Sequence, residues 1–566
     1  MRKSVLFTAL RFTFLLTFLV CQSFLLPKFL VAQTDQPKQK PKLILTIVID
    51  QFRYDYLDRF EDMFLPVGKH SGGFRKLRKQ GAFMEKCFYD HSATNTGPGH
   101  ATILTGMYPS HSGIVTNKWR ERESGELIYC VSDEKASPVG KASSKSAGKR
   151  SPANLLVNTV GDRLKISHPQ SKIISVALKD RAAILLGGHK PNAAYWFDAG
   201  SGKWISSSYY FPQQQLPKWL VDFNDKNIAE SYLGKEWRKL LPDKFYPMAD
   251  DVYGEGFIPG EQQRTFPHTI HDLSKIKDPR LRNSNRFDAL LVSPYGHAMT
   301  TAIAKEIIEN EALGQDSATD VLAVSYSSLD YCGHTFGPMS QEVQDVVIRL
   351  DRQLDDLLGF VDKKIGLENC VVVLTADHGV SPLPEFMDNG KRLREEDVLD
   401  SLKFLVESRY PNLIEYFSGN EIYLNTKLIE EKEWFPAEME DFVAKNAEKL
   451  SFVAHAFTRA ELILGNSEQF GRMASHSFNK QRSGDVYLIY KPYMIFAGQT
   501  GTTHGSPYDY DSHVPLFFFG KKIRPGAYTE KCTPADIAPT LHHILRLSNE
   551  VHPPYDGRVL NEVLSQ

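Results

Sequence analysis

The sequence predicts an α/β fold, with a mostly parallel central sheet flanked by helices. Three observations carry this. Five short apolar runs recur, at 43–49, 173–178, 321–325, 371–374 and 514–519, and unbroken rather than alternating hydrophobicity belongs to strands covered on both faces. Helical periodicity separates several of them, as in 343–361 (VQDVVIRLDRQLDDLLGFV). Strands alternating with helices over hundreds of residues build parallel sheets. Finally, several runs lead into an aspartate, and ligands of such sheets bind beyond the carboxyl ends of the strands.

The elements are taken in chain order. Arg2 and Lys3 precede an apolar stretch at 5–20, and a second ends in Leu30-Val31-Ala32. This is the pattern of a secretory signal peptide over 1–32, cut near Ala32 or Gln33, which implies a periplasmic or secreted protein. The alternative is a retained anchor, since Arg11 and Lys28 bracket a stretch nearly long enough to span a bilayer. Once the signal is removed, no stable membrane insertion is expected. A polar Lys/Gln/Pro-rich linker occupies 33–42, and 43–566 reads as one catalytic domain with insertions. The first, 133–152, is Ser/Lys/Ala-rich without apolar periodicity and reads as a mobile surface loop. The second, 196–290, carries Trp196, Trp204, Trp219 and Trp237 and reads as a lid or subdomain whose aromatics are core. The third is a mixed block at 395–475.

Composition excludes other classes. The chain has 566 residues, 67 Lys+Arg against 68 Asp+Glu, 42% hydrophobic and 24% charged. A net charge of −1 argues against a polycation for nucleic acid or membrane surfaces, and the apolar content argues against disorder. The signal holds four basic residues and no acidic one, so its loss leaves 63 basic against 68 acidic residues. Outside it lie Cys87, Cys130, Cys332, Cys370 and Cys532. Export permits disulfides, but an odd count leaves at least one unpaired. No CxxC pair supports a thiolate zinc site. Nothing resembles a coiled-coil seam, and a monomer is expected.

Asp50 ends the first run, Asp330 follows the third in Ser327-Ser-Leu-Asp330, and Asp377 follows the fourth. A single strand-end aspartate is most often a turn former or cap. Here His334 stands four residues after Asp330, His378-Gly379 directly follow Asp377, and His504 sits in a glycine-flanked loop, Gly501-Thr-Thr-His504-Gly505. Three carboxylates and three imidazoles on loop tips suit two borderline cations, Zn²⁺ foremost. For Asp377 and His378 to share a metal, the chain must already be leaving the strand at Asp377, since adjacent strand residues face opposite ways. In Thr96-Gly97-Pro98-Gly99-His100, Pro98 suits a first helical turn, placing Thr96 just before a helix N-terminus that favours anions. A hydroxyl there is ordinarily a cap; beside two cations it can serve as a nucleophile.

The ordered set of Asp50, Thr96-x-Pro-x-His100, Asp330-xxx-His334, Asp377-His378-Gly379 and His504-Gly505 resembles the alkaline phosphatase superfamily. It is similar to the type I phosphodiesterase/nucleotide pyrophosphatase branch and to the PafA-type alkaline phosphatases on that scaffold. The resemblance implies an alkaline phosphatase-like core and two Zn²⁺ per chain. One would be held by Asp330, His334 and His504, the other by Asp50, Asp377, His378 and the Thr96 oxygen. Thr96 would form a phosphothreonine intermediate that water then hydrolyses. Lys179 and Arg181, two apart and so on one face if extended, resemble the Lys-x-Arg pair of the PafA-type monoesterases. Asn117 looks like their phosphate-contacting asparagine. Added donors suit the dianion of a monoester. Small phosphate monoesters are therefore the expected substrates, with a diesterase or nucleotide pyrophosphatase as the alternative. Sulfatases need a Cys or Ser where Thr96 stands, and the related mutases use Ser and are cytosolic. A mere binding protein leaves the nucleophile loop unexplained.

Overall fold

The computed structural model describes residues 40–68, 71–465, 467–548 and 554–565. The signal peptide and most of the linker read from the sequence lie outside them. Ten strands form the central sheet: β1 (Leu43–Ile49), β2 (Ala82–Met84), β3 (Pro138–Val139), β4 (Ile173–Ala177), β5 (Ala193–Asp198), β6 (Lys203–Ser207), β7 (Asp320–Tyr326), β8 (Cys370–Thr375), β9 (Leu516–Gly520) and β10 (Gly526–Tyr528). Their order is β10-β2-β9-β8-β1-β7-β4-β5-β6-β3. The middle five, β8-β1-β7-β4-β5, are all parallel. All seven residues of β1 are buried, as continuous hydrophobicity requires of a strand with neighbours on both edges and helices on both faces. The run at 514–519 differs from the parallel expectation, for β9 lies antiparallel to both β8 and β2.

Four helices frame the site: α1 (Thr96–Thr105), α2 (Asp180–Gly187), α3 (Ser328–Phe336) and α4 (Gln341–Lys364). In α4, the Ser340 hydroxyl accepts from Val343 N at 3.1 Å and Lys363 and Lys364 occupy the last turn, satisfying both ends of the helix dipole. Register pairs Ile49 with Tyr326, Val48 with Thr375, and Ser325 with Ala177. The chain therefore leaves β1, β7, β8 and β4 at one edge, and residues 50, 327–334, 376–378 and 178–181 gather there.

The inserted segments are more integrated than composition suggested. Residues 133–152 supply the edge strand β3, paired with β6, and Ser143 donates its N–H and hydroxyl to Asp198. They form an ordered margin of the sheet where a mobile loop was expected. Residues 196–207 span the end of β5, the turn after it and β6, so the segment that departs from the sheet begins beyond Ser207. Trp196, Trp204 and Trp237 are buried, in keeping with a core role. Around 395–475 the chain builds a small subdomain with its own four-stranded sheet, Ile414–Ser418, Glu421–Leu424, Val486–Tyr490 and Val453–Thr458. Its helices Glu395–Val406 and Pro436–Ala447 share a separate core that includes Leu402, Ile422, Val443 and Leu488. From Pro41 onward the chain is one compact unit. Among the described residues no helix is long and apolar enough to cross a membrane.

Candidate active site

Asp50 directly follows β1, its N–H bonded to Tyr326 O at 2.9 Å. The next residue, Gln51, has φ +66°, a left-handed backbone uncommon outside glycine. That conformation turns Gln51 N toward Asp377 Oδ1 (3.1 Å) while its Nε2 donates to Asp330 Oδ1 (2.9 Å). Gln51 thus ties the three carboxylate loops together, a role that no residue-type signal announces. Asp330 does not end a strand: β7 stops at Tyr326, and Asp330 sits in the first turn of α3 with His334 one turn later. Both face one way because i and i+4 share a helix face. Asp377 and His378 follow the end of β8, so the chain has left the strand as their joint role demands. Gly379 serves close approach more than turning, because a Cβ there would meet Tyr510 O at 2.2 Å.

Each site histidine is fixed through Nδ1. His334 Nδ1 contacts Thr502 O (2.8 Å), His378 Nδ1 contacts Gly379 O (2.9 Å) and His504 Nδ1 contacts Thr94 O (2.7 Å). A carbonyl only accepts, so each Nδ1 carries the proton and each Nε2 is left as the ligand atom. The His378 and His504 rings stack at 3.5 Å. Burial lowers both imidazoles, His378 to about 3, keeping them in the neutral, ligand-competent form. Burial also opposes charge on His334, but Asp330 carries it above its ordinary value.

Cations fit this donor set. His378 Nε2 lies 3.3 Å from Asp377 Oδ2 and 3.5 Å from Asp50 Oδ1; Asp50 Oδ1 and His378 Nε2 are buried without a hydrogen bond, and Asp377 Oδ2 has only the His100 contact described below. Three converging acceptors with no donor among them mark a cation position. Asp330 Oδ1 similarly meets His334 Nε2 at 3.2 Å and His504 Nε2 at 3.6 Å. The groups Asp330/His334/His504, Asp50/Asp330/His378 and Asp50/His100/Asp377 each place their ligand atoms within 4.8 Å of one another. His100 is better read as an orienting residue. Its Nδ1 faces Thr96 O (2.9 Å) and Asp377 Oδ2 (3.0 Å), and its Nε2 is engaged by Ser325 Oγ (2.8 Å).

Lys179 Nζ lies between two of the acids, 2.7 Å from Asp50 Oδ2 and in a still closer contact with Asp330 Oδ2. Burial pushes the Asp50 carboxyl up, and Asp330 and Asp377 push it further. Asp330 is held low against burial by Lys179, and Asp377 against burial by His378 and His100.

Thr96, buried, is the first residue of α1. Gly99 lets that helix approach β8, since a Cβ there would sit 2.3 Å from Asp377 O. Asn117 Oδ1 accepts from Gly97 N at 2.7 Å, securing the loop and leaving Nδ2 without a partner among the described residues. Lys179 and Arg181 do not share an extended face. Lys179 caps α2 and Arg181 is its second residue, yet both reach the site. Arg181 Nη2 donates to Thr96 Oγ1 at 3.3 Å. Behind it, Asp180 accepts from Tyr129 OH (2.5 Å), Arg150 Nε (2.6 Å) and Arg181 N (2.7 Å). Sequence reasoning missed this support, for Arg150 comes from the segment expected to be mobile.

A ten-stranded, largely parallel sheet bearing two acid–imidazole clusters beside a helix-terminal threonine defines an alkaline phosphatase-like hydrolase. Residues 44–513 match the family described as type I phosphodiesterase/nucleotide pyrophosphatase. The chain is 35% identical over 526 residues to the alkaline phosphatase PafA of Elizabethkingia meningoseptica, covering 91% of this chain and 93% of that protein. It is 36% identical to a calcium-transporting ATPase of Myroides odoratus over 524 residues (90% and 92%) and to the alkaline phosphatase PhoV of Synechococcus elongatus over 547 (94% of each). The crystal structure of wild-type PafA superposes with a TM-score of 0.84 at 34% identity, covering 93% of this chain and 99% of that one. The chain belongs to the type I phosphodiesterase/nucleotide pyrophosphatase family and, within it, to the PafA-type alkaline phosphatases, phosphoric monoester hydrolases.

Proposed function

We propose that this is an exported, two-zinc phosphate monoesterase that works through a phosphothreonine on Thr96. The observation that carries the reading is the Arg181–Thr96 contact at 3.3 Å, which puts a fixed guanidinium fork on the hydroxyl best placed to attack. Asp330, His334 and His504 would hold one zinc, and Asp50, Asp377 and His378 with Thr96 the other. When bound, the zinc ions supply positive charge that lowers the cost of the entering and leaving oxygens.

The chain's own groups do the rest. Thr96 Oγ1 forms a bond to phosphorus as the ester oxygen's bond breaks, releasing the alcohol; water then cleaves the phosphothreonine and releases phosphate. The Arg181 fork and Asn117 Nδ2 would meet the nonbridging oxygens, where a monoester carries one more negative charge than a diester. Lys179 balances the acids and adds a second positive charge to the site. Small phosphate monoesters are the substrates, and the protein acts as a monomer after its signal is removed.

The test uses zinc-loaded protein, acid-quenched with substrate and weighed intact. Wild type should gain one phosphoryl group, Thr96→Ala none, and metal analysis should find two zinc per chain that chelator removes together with activity. A phosphoryl group that persists in Thr96→Ala refutes the nucleophile. A higher kcat/KM for a diester than for its matched monoester would establish the diesterase alternative.

A further inference from the structure

A cleft of about 310 Å³ adjoins the reaction centre, reaching Asn95, the residue before Thr96, and the ring of His504. Its volume falls within the range of small-molecule sites. One wall is the hairpin that carries Trp119; the other is the subdomain sheet, through Tyr416, Tyr423 and Tyr490, with Phe496 and Tyr508 also lining it. Three of the phenolic hydroxyls are committed elsewhere. Tyr423 OH donates to Glu421 Oε2 (2.7 Å), Tyr490 OH to Gly419 O (2.6 Å) and Tyr508 OH to Tyr490 O (2.7 Å). Arg120, above the Tyr416 ring at 4.9 Å, is paired with Glu415. What these aromatic residues offer is therefore ring surface, beside polar neighbours that include Lys118, Asn420 and Lys491. The rings are held at fixed angles, Tyr490 to Phe496 at 76° and 5.0 Å, and Tyr416 to Tyr423 at 58° and 5.8 Å.

We infer that this cleft receives the alcohol portion of the ester and favours leaving groups that carry a planar aromatic ring, as nucleoside and benzylic phosphates do. The inference rests on the phosphatase reading. In-line displacement at phosphorus sends the leaving oxygen away from Thr96, and the cleft meets the centre at His504, which belongs to the acid–imidazole group that does not include Thr96. Ring-on-ring contact rewards a flat π surface above an aliphatic chain of similar size. The subdomain thereby acquires a purpose, since it supplies one wall and leaves the acid–imidazole centre to the main sheet.

The test is two matched pairs: adenosine 5′-monophosphate against ribose 5-phosphate, and benzyl phosphate against ethyl phosphate. Each pair keeps a primary alkoxide as leaving group and varies only the ring. In wild type the ringed member should have kcat/KM at least about tenfold higher, in line with the worth of one stacked ring, and the ratio should collapse in Tyr416→Ala or Tyr508→Ala. A gain in the adenosine pair alone assigns nucleosides, and a gain in the benzyl pair alone assigns benzylic alcohols. Ratios within about twofold of one in both pairs, or unchanged in both variants, overturn the inference. Calorimetric titration of adenosine against ribose reads the cleft without turnover. Adenosine binding by a protein inactive on every ester sustains the cleft and refutes the phosphatase, whereas equal, undetectable binding refutes the cleft.

Discussion

Arg181→Ala tests the proposed role of this guanidinium as the charge that separates monoesters from diesters. The guanidinium reaches Thr96 Oγ1 at 3.3 Å from the first turn of α2, and Tyr129 OH lies 3.5 Å from its other nitrogen. Burial opposes its charge, but Tyr129 and Asp180 hold it firmly protonated. It is thus a preorganised cation that needs no rearrangement when phosphorus arrives. Removing one such donor from a water-poor site costs about 10²–10³ in rate, about 3–4 kcal/mol. A monoester should show that full loss, because its three nonbridging oxygens share two negative charges where a diester's two share one. A diester should lose only about tenfold, the scale of a single hydrogen bond to a less charged oxygen. Arg181→Lys should recover part of the loss, since an ammonium replaces the charge without the fork. The assay is kcat/KM for a monoester and its methyl diester across the three proteins, all zinc-loaded. Equal losses on both esters, or a monoester loss below about threefold, would refute the assigned role.

Two further perturbations probe the surroundings. Lys179→Ala removes the ammonium between Asp50 and Asp330, and breaking so buried a pair should destabilise cation-free protein by about 3–5 kcal/mol. Zinc should restore most of the lost Tm, and an unchanged Tm in chelator would refute the pairing. Away from the site, buried His268 sits 2.7 Å from Glu261 and 3.2 Å from Glu342; burial lowers its pKa, but the two carboxylates carry it up to about 9. Its contribution is complete below about pH 6.5 and is lost as pH rises toward 9, about 3 kcal/mol by linkage. Glu255, pushed up to about 8 by burial and Glu342, adds a loss from about pH 4.5 to 8 in the same direction. Denaturant titrations should show stability falling across this window, and His268→Gln should flatten the upper part; a parallel slope in the variant would refute the linkage.

How much of this was legible follows from range. β1 was readable residue by residue, because a central parallel strand must be apolar throughout. Asp50 and Asp377 were placed correctly, as positions next to strand ends are local facts. Asp330 and the Lys179–Arg181 pair were given the wrong local geometry. Strand β7 ends at Tyr326, four residues before Asp330, β4 ends at Ala177, two before Lys179, and helices start at Ser328 and Asp180. Their destinations survived, because helix N-termini at the carboxyl edge of a parallel sheet point into the same crevice. The antiparallel course of β9 was not legible, since it depends on the path of some 140 intervening residues (375 to 516). Nor were Gln51, whose role lies in a backbone twist, and Arg150, whose carboxylate partner is thirty residues away in sequence.

The uneven treatment of the three aspartates explains how a chain of net charge −1 can serve a dianion. Within the protein alone, Asp330 and Asp377 each have a compensating neighbour, Lys179 for one and imidazoles for the other. Asp50 has only a share of Lys179, so burial and two adjacent acids push its carboxyl up. That deficit is located where the lone pairs of Asp50 Oδ1, Asp377 Oδ2 and His378 Nε2 converge. The polypeptide has therefore folded around an unmet demand for positive charge, held in place by Gln51, His100 and the three Nδ1–carbonyl contacts. Three carboxylates against Lys179 and Arg181 leave the site one negative charge in excess. Two divalent cations would turn that into three positive charges in excess, focused by a buried, low-dielectric pocket. Because each divalent cation adds two positive charges to that balance, substrate affinity and cation occupancy should be linked: phosphate, the product dianion, should bind the zinc-loaded chain and be lost with the zinc.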